Sequence, residues 1–233
     1  MFLKGDHFLK GCDCRHMEHL LPLKVQYLLL FGVALFWTIV YILIIYKGFR
    51  DRVCGMPLAA ICANITWEFL FTFCLPFHPL QQLVTLIWFL LDCIILLQFL
   101  AYSKGLYPKR TLYAAVSTLL LIALLLHYGM SVEFNDTMGV YSAFGINLMM
   151  SLLFIRMLLI KELQGQSLAI AYFKMIGTLC ASILCYSFYP QSILLMIMYV
   201  LIFALDMLYI LLIYSKSITV VHKRAALPPL TKS

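Results

Sequence analysis

The sequence predicts an all-α membrane protein, a bundle of about seven transmembrane helices, and three observations carry that prediction. Of its 233 residues, 64% are hydrophobic and only 12% charged, where a soluble domain carries about 25% charged residues. Apolar runs of 18 or more residues recur along the chain, each long enough to cross the hydrocarbon core of a bilayer. The short alternating segments of a transmembrane β-barrel do not appear.

Residues 1–24 are polar and mixed in charge, and read as a loosely ordered N-terminal segment. They contain Cys12, Cys14, His16 and His19, but at a spacing that matches no zinc pattern. The mixed charge argues against a signal peptide, and the first apolar run is long enough to remain as a span. Spans of about 20 residues then read near 26–46, 56–75, 80–102, 111–128, 140–160, 168–189 and 192–215. Pro76, Pro79 and Pro190 mark tight turns between antiparallel neighbours. The chain thus divides into 1–24, a transmembrane domain over 25–215, and a basic, flexible tail over 216–233. The third and seventh spans echo each other, with Phe89 and Asp92 in register with Phe203 and Asp206. Two three-helix units around one linker helix would give this echo; so would chance similarity between two Leu/Ile-rich spans.

The formal charge of +7 sits mainly between spans and does not argue for nucleic acid. Lys47, Arg50, Arg52, Lys104, Lys109, Arg110, Lys161 and the tail gather on one side. The loop with Glu133 and Asp136 lies on the other and has no Lys or Arg. The positive-inside rule then places the C-terminus in the cytosol and the N-terminus outside or in a lumen, although Lys24 pulls the other way. Asn135-Asp136-Thr137 is a glycosylation sequon on the expected lumenal side. The eight cysteines suggest no disulfide framework, since most lie in or beside spans.

Three carboxylates fall within spans: Glu68, Asp92 and Asp206. At ~1.5 Å per residue each lies roughly 12–21 Å below the lumenal edge, so they can converge on one cavity. An intramembrane acid marks function by default, the alternative being a hydrogen bond that locks the bundle. Burial disfavours the charged form of a carboxyl, and a neutral acid in a dry pocket can hand a proton to an epoxide oxygen or an alkene. Asn64 precedes Glu68 by four residues and shares its helical face. Trp88 stands likewise to Asp92, and Tyr209 follows Asp206 by three. With Trp67, these aromatic rings suit stabilisation of a carbocation. Lys174 is deep in its span, where it either pairs with Asp206 or snorkels; Arg156, nearer an edge, snorkels. No aspartate cluster for a Mg²⁺-bound diphosphate and no His/carboxylate set occurs in the spans, so no metal or cofactor is expected.

GMPLAAICANITWEF (55–69), Trp88 to Asp92, GQSLAIAYFKMIGT (165–178) and Asp206-Met207-Leu208-Tyr209 together resemble one known family. It is that of the small integral-membrane terpene cyclases of fungal meroterpenoid and indole-diterpene biosynthesis (paspaline-type cyclases) and their bacterial relatives. The resemblance implies acid-initiated cyclisation of a prenyl chain on an aromatic or other polar head, begun at a terminal epoxide or olefin without ionising a diphosphate. It places the essential acids on Glu68 and Asp206, with Asp92 as the third-span acid. Asn64, Trp67, Trp88, Tyr209 and Lys174 are the candidates for substrate binding, and the expected partners are a lipophilic prenylated substrate and the bilayer. The rival reading is a small seven-helix transporter of the sugar or PQ-loop type, suggested by the span count, the echo and Pro190-Gln191.

Overall fold

A computed structural model describes residues 20–103 and 108–225, with side chains to 219. Cys12, Cys14, His16, His19 and Lys104 lie outside the described residues. The elements in order are α1 (Leu23–Asp51), α2 (Leu58–Phe69), α3 (Pro79–Tyr102), α4 (Lys109–Glu133), α5 (Val140–Lys161), α6 (Leu168–Phe188) and α7 (Ile193–Ala225). A π-helical turn, Leu70–Cys74, continues α2. No strand occurs among the described residues. Six of the helices are long and apolar enough to span a bilayer, and the segment Leu58–Cys74 is shorter.

The boundaries follow local chemistry. Pro22 stands immediately before α1, Pro57 before α2 and Pro108 before α4, where a missing N–H costs nothing. Pro79 opens α3 behind His78, whose ring nitrogen accepts from the Leu80 amide at 3.2 Å. Ser167 caps α6 by accepting from the Ile170 amide. Two edges differ from the sequence reading. Helix α1 begins at Leu23, inside the segment expected to be loose through residue 24. Helix α7 runs to Ala225, well into the tail expected to be flexible from Lys216. That stretch holds no glycine or proline, and Pro228 is the first breaker.

Helix α3 packs against both α1 and α2, and α7 packs against both α5 and α6. The chain is therefore built from two three-helix units with the third helix of each in the middle, as the echo between spans suggested. The units meet where α1 lies along α6 and α2 along α5, and α4 packs on the outside of α2. Asp92 sits thirteen residues beyond the start of α3 and Asp206 thirteen beyond the start of α7, so the two acids occupy equivalent places. Leu28, Leu97 and Val200 point outward and are more than six-tenths exposed, as lipid-facing side chains would be. Helix α2 is the inner one: every residue from Ala60 to Glu68 is buried, shielded by α3, α4 and α5.

The α4–α5 loop closes one end of the bundle. Asp136 accepts from the Tyr141 amide at 2.8 Å and the Met138 amide at 3.3 Å. Burial pushes its carboxyl up from the usual range, against the opposing pull of these backbone amides. Gly139 follows at φ +66°, and a Cβ there would lie 2.3 Å from the Phe71 ring. Only glycine fits both demands. Gly139→Ala should therefore destabilise the protein by ~1–3 kcal/mol, read as a lower thermal midpoint in detergent. Gly145→Ala, whose added methyl meets nothing within 4 Å, should leave the midpoint unchanged or raise it slightly.

Candidate active site

A cavity of about 200 Å³ lies between the two units, lined by α1, α2, α3, α5 and α6. Its polar floor is Tyr41, Asn64, Glu68 and Asn147; its walls include Trp37, Trp67, Trp88, Phe144 and Phe188. Phe77 and Met138 bring in the α2–α3 turn and the α4–α5 loop.

Glu68 is 2% exposed. The one-turn spacing that joins it to Asn64 places both on the inner face of α2, and a tyrosine from α1 completes the group. Tyr41 donates its hydroxyl to Glu68 Oε1 at 2.9 Å, and Asn64 Nδ2 donates to the Tyr41 oxygen at 2.9 Å. Glu68 Oε2 is buried and has no hydrogen-bond partner among the described residues. Asp92 is completely buried beside this group, close enough to interact electrostatically with Glu68 and Tyr41. Neither of its oxygens makes a well-formed hydrogen bond among the described residues, although the Asn64 amide and the Tyr41 hydroxyl both lie close beside its carboxyl. The π-helical turn begins two residues after Glu68; such wide turns are frequent at functional sites.

The aromatic walls are fixed in place. Trp67 Nε1 donates to the Gly139 carbonyl and Trp88 Nε1 to Thr38 Oγ1, each at 3.0 Å. The Tyr41 ring lies 6.2 Å from that of Trp37 and 6.3 Å from that of Trp88. Desolvated rings held in this way stabilise a nearby cation by about 2 kcal/mol or more each.

Asp206 stands apart from the Glu68–Asp92 group. It pairs with Lys174, whose Nζ lies 2.7 Å from Oδ1, and both side chains are at most 2% exposed. Of the two sequence readings of Lys174, pairing is the one found. Two i, i+4 pairs face each other here: Asn147 and Ser151 on α5, Lys174 and Thr178 on α6. Lys174 also donates to Ser151 Oγ at 2.7 Å and Asn147 Oδ1 at 3.0 Å, which uses all three of its protons. Asn147 Nδ2 donates to Thr178. Asp206 does not line the main cavity; it borders a second hollow between α6 and α7 with Thr178, Tyr199 and Phe203. The cluster reaches the main cavity through Asn147 and through Trp37, whose ring lies 5.9 Å from Lys174 Nζ.

Among the residues singled out by sequence, the structure brings Glu68, Asn64, Trp67 and Trp88 to the cavity and Asp92 close behind them. Lys174 and Asp206 form the second cluster. Tyr209 is placed elsewhere: it is buried outside the cavity lining, donating to Gln166 Oε1 at 2.8 Å and edge-on to Phe154. The sequence reading missed Tyr41, Asn147, Ser151 and Trp37. Asn147 and Ser151, polar and one turn apart within a span, carried a signal; Tyr41 among aliphatic residues carried none. No three His, Cys, Asp or Glu side chains converge as a metal set among the described residues.

The family model of Pyr4-like transmembrane terpene cyclases matches residues 18–217. Among curated relatives, the Pyr4-family terpene cyclase mfmH of Annulohypoxylon moriforme is 44% identical over 70 residues, 30% of this chain and 29% of that protein. Terpene cyclase macJ of Penicillium terrestre is 28% identical over 159 residues, 64% of this chain and 62% of that protein. Terpene cyclase dpmpB of Macrophomina phaseolina is 28% identical over 130 residues, 53% of each. The chain thus spans between 29% and 62% of the length of these relatives. No solved structure matches.

The ion pair yields a direct stability test. Lys174→Met leaves the Asp206 carboxylate buried and unpaired and should cost ~3–5 kcal/mol. Adding Asp206→Asn should recover a large part of that loss, measured by thermal unfolding of the purified proteins in detergent.

Proposed function

Because this chain belongs to the family of Pyr4-like transmembrane terpene cyclases, we propose that it cyclises a lipophilic prenylated substrate by protonating a terminal epoxide or olefin, with Glu68 as the acid. The observation that supports this most directly is a carboxyl in the lining of an aromatic-walled cavity inside the bundle, with one of its oxygens unclaimed among the described residues.

The chemistry is redox-neutral. Glu68 delivers its proton to the epoxide oxygen, and the carbon–oxygen bond breaks as the nearest double bond attacks. The remaining double bonds close in turn, each new cation facing Trp37, Tyr41, Trp67 or Trp88. The last cation loses a proton to a base or captures water, and the acid is reprotonated. With proton loss the product is an isomer of the substrate. Asp92 is the neighbour placed to hold or return that proton. Asp206 acts from behind the wall, as a positioning residue that anchors Lys174 and, through it, Asn147.

A cavity between helices suits a substrate that arrives from the bilayer, and the basic residues orient the chain. Lys47, Arg50, Arg52, Lys109, Arg110 and Lys161 lie at the end of the bundle opposite the α4–α5 loop, which supports a reading with that end in the cytosol and the loop in a lumen or outside. A carrier would share a two-unit architecture, but the family match does not favour it.

The test is expression in membranes with candidate prenylated epoxides and olefins, with cyclic products identified by mass and NMR. Glu68→Gln should reduce product formation by at least ~10²–10⁴-fold, the usual worth of a general acid, at unchanged expression and thermal midpoint. Normal turnover by that variant, or flux of an unchanged substrate across vesicles, would refute the assignment.

A further inference from the structure

Tyr41 belongs to the first helix, far in sequence from both acids of its cluster, and its role is not that of packing alone. Its ring is 3% exposed. Its oxygen has two partners with opposite demands. The Asn64 amide nitrogen can only donate, so toward Asn64 the tyrosine oxygen must accept. The single hydroxyl proton is then directed to Glu68 Oε1, 2.9 Å away. In a protonated carboxyl the carbonyl oxygen is the good acceptor and the hydroxyl oxygen a poor one. Oε1 is therefore the carbonyl oxygen, and the acidic proton resides on Oε2, the oxygen with no protein partner among the described residues.

We infer that Tyr41, aligned by Asn64, is a positioning residue that selects which oxygen of Glu68 carries the transferable proton and holds that oxygen free for the substrate. This inference rests on Glu68 being the acid. It assigns a division of labour within the carboxyl group. Oε1 is tethered and fixes the plane of the group; Oε2 has no hydrogen-bond partner among the described residues, which leaves its proton for the substrate or for Asp92. When the proton leaves, charge develops across both oxygens, and the Tyr41 hydroxyl is already aimed at one of them. The same contact that places the proton thus also stabilises the conjugate base. Asp92 lies beside both Tyr41 and Asn64 and is the other acceptor in reach of that hydroxyl, but the well-formed bond is the one to Glu68 Oε1.

The test uses the full-length protein in membranes and reads both turnover and the infrared spectrum. The difference between wild type and Glu68→Gln isolates the protonated-carboxyl C=O stretch of Glu68. In Tyr41→Phe the carbonyl loses its donor, so that band should move to higher frequency, and kcat should fall by ~10–100-fold with KM changed by less than ~3-fold. The double variant with Glu68→Gln should be no worse than Glu68→Gln alone. If Tyr41→Phe does not fold, Asn64→Leu keeps the phenol and removes only the group that aligns it. That variant should broaden or shift the same band and lower kcat. An unmoved band with unchanged kcat in a folded variant, while Glu68→Gln is inactive, overturns the inference and leaves the acid assignment standing. An active Glu68→Gln overturns both.

Discussion

A carboxyl group at mid-bilayer depth has to be satisfied within the protein, and this bundle does so in two different ways. Asp206 receives a full countercharge: Lys174 contacts it directly, and the remaining protons of the ammonium go to Asn147 and Ser151. Among the described residues, Glu68 receives a single neutral donor, Tyr41. The first arrangement is saturated and rigid; the second leaves an oxygen idle. Buried ion pairs seldom add net stability over a hydrophobic packing of the same volume. The Lys174–Asp206 pair is better understood as fixing the register of α5, α6 and α7 so that the opposite wall of the cavity keeps its shape.

The two halves of the chain make this contrast legible. In one, α2 and α1 supply Asn64 and Tyr41 beside an acid on α3. In the other, α6 and α5 supply Lys174 and Ser151 beside an acid on α7. One architecture therefore carries two settings of the same polar cluster. An amide in the place of the ammonium leaves the first half with no fixed positive charge near its acids. The architecture alone says nothing of chemistry; on the second helix of each unit, Asn64 and Glu68 in one stand where Lys174 and Thr178 stand in the other.

Much of this was readable in the residues. Helix count and helix edges followed from apolar runs and prolines, because lipid and backbone hydrogen bonding together leave few alternatives. The faint match between third and seventh spans anticipated two units, since a shared Phe and Asp in register reflect shared packing positions. Glu68, Asp92, Asp206 and Lys174 announced themselves as ionisable groups where ions are expensive. Which acids share a site was not legible: depth along a helix axis gives one coordinate, and rotation and neighbour choice give the others. Asp206 takes the place in α7 that Asp92 takes in α3 but turns to Lys174. Tyr41 was invisible for a different reason. A tyrosine in a span resembles any packed ring until the partner of its hydroxyl is known. The extension of α7 past Lys216 was missed because polar composition was taken as the end of a helix, although polar residues without glycine or proline can continue one.

The placement of α4 outside the two units has a consequence for how such a chain is assembled. A three-helix unit finishes on the opposite side of the membrane from its start, so a second copy joined directly would be inserted upside down. One additional crossing restores it to the upright sense. Cutting the chain between α3 and α4 would divide it into one fragment with α1–α3 and another with α4–α7. Co-expressed, they would have to meet sideways, along the seams of α1 with α6 and of α2 with α4 and α5.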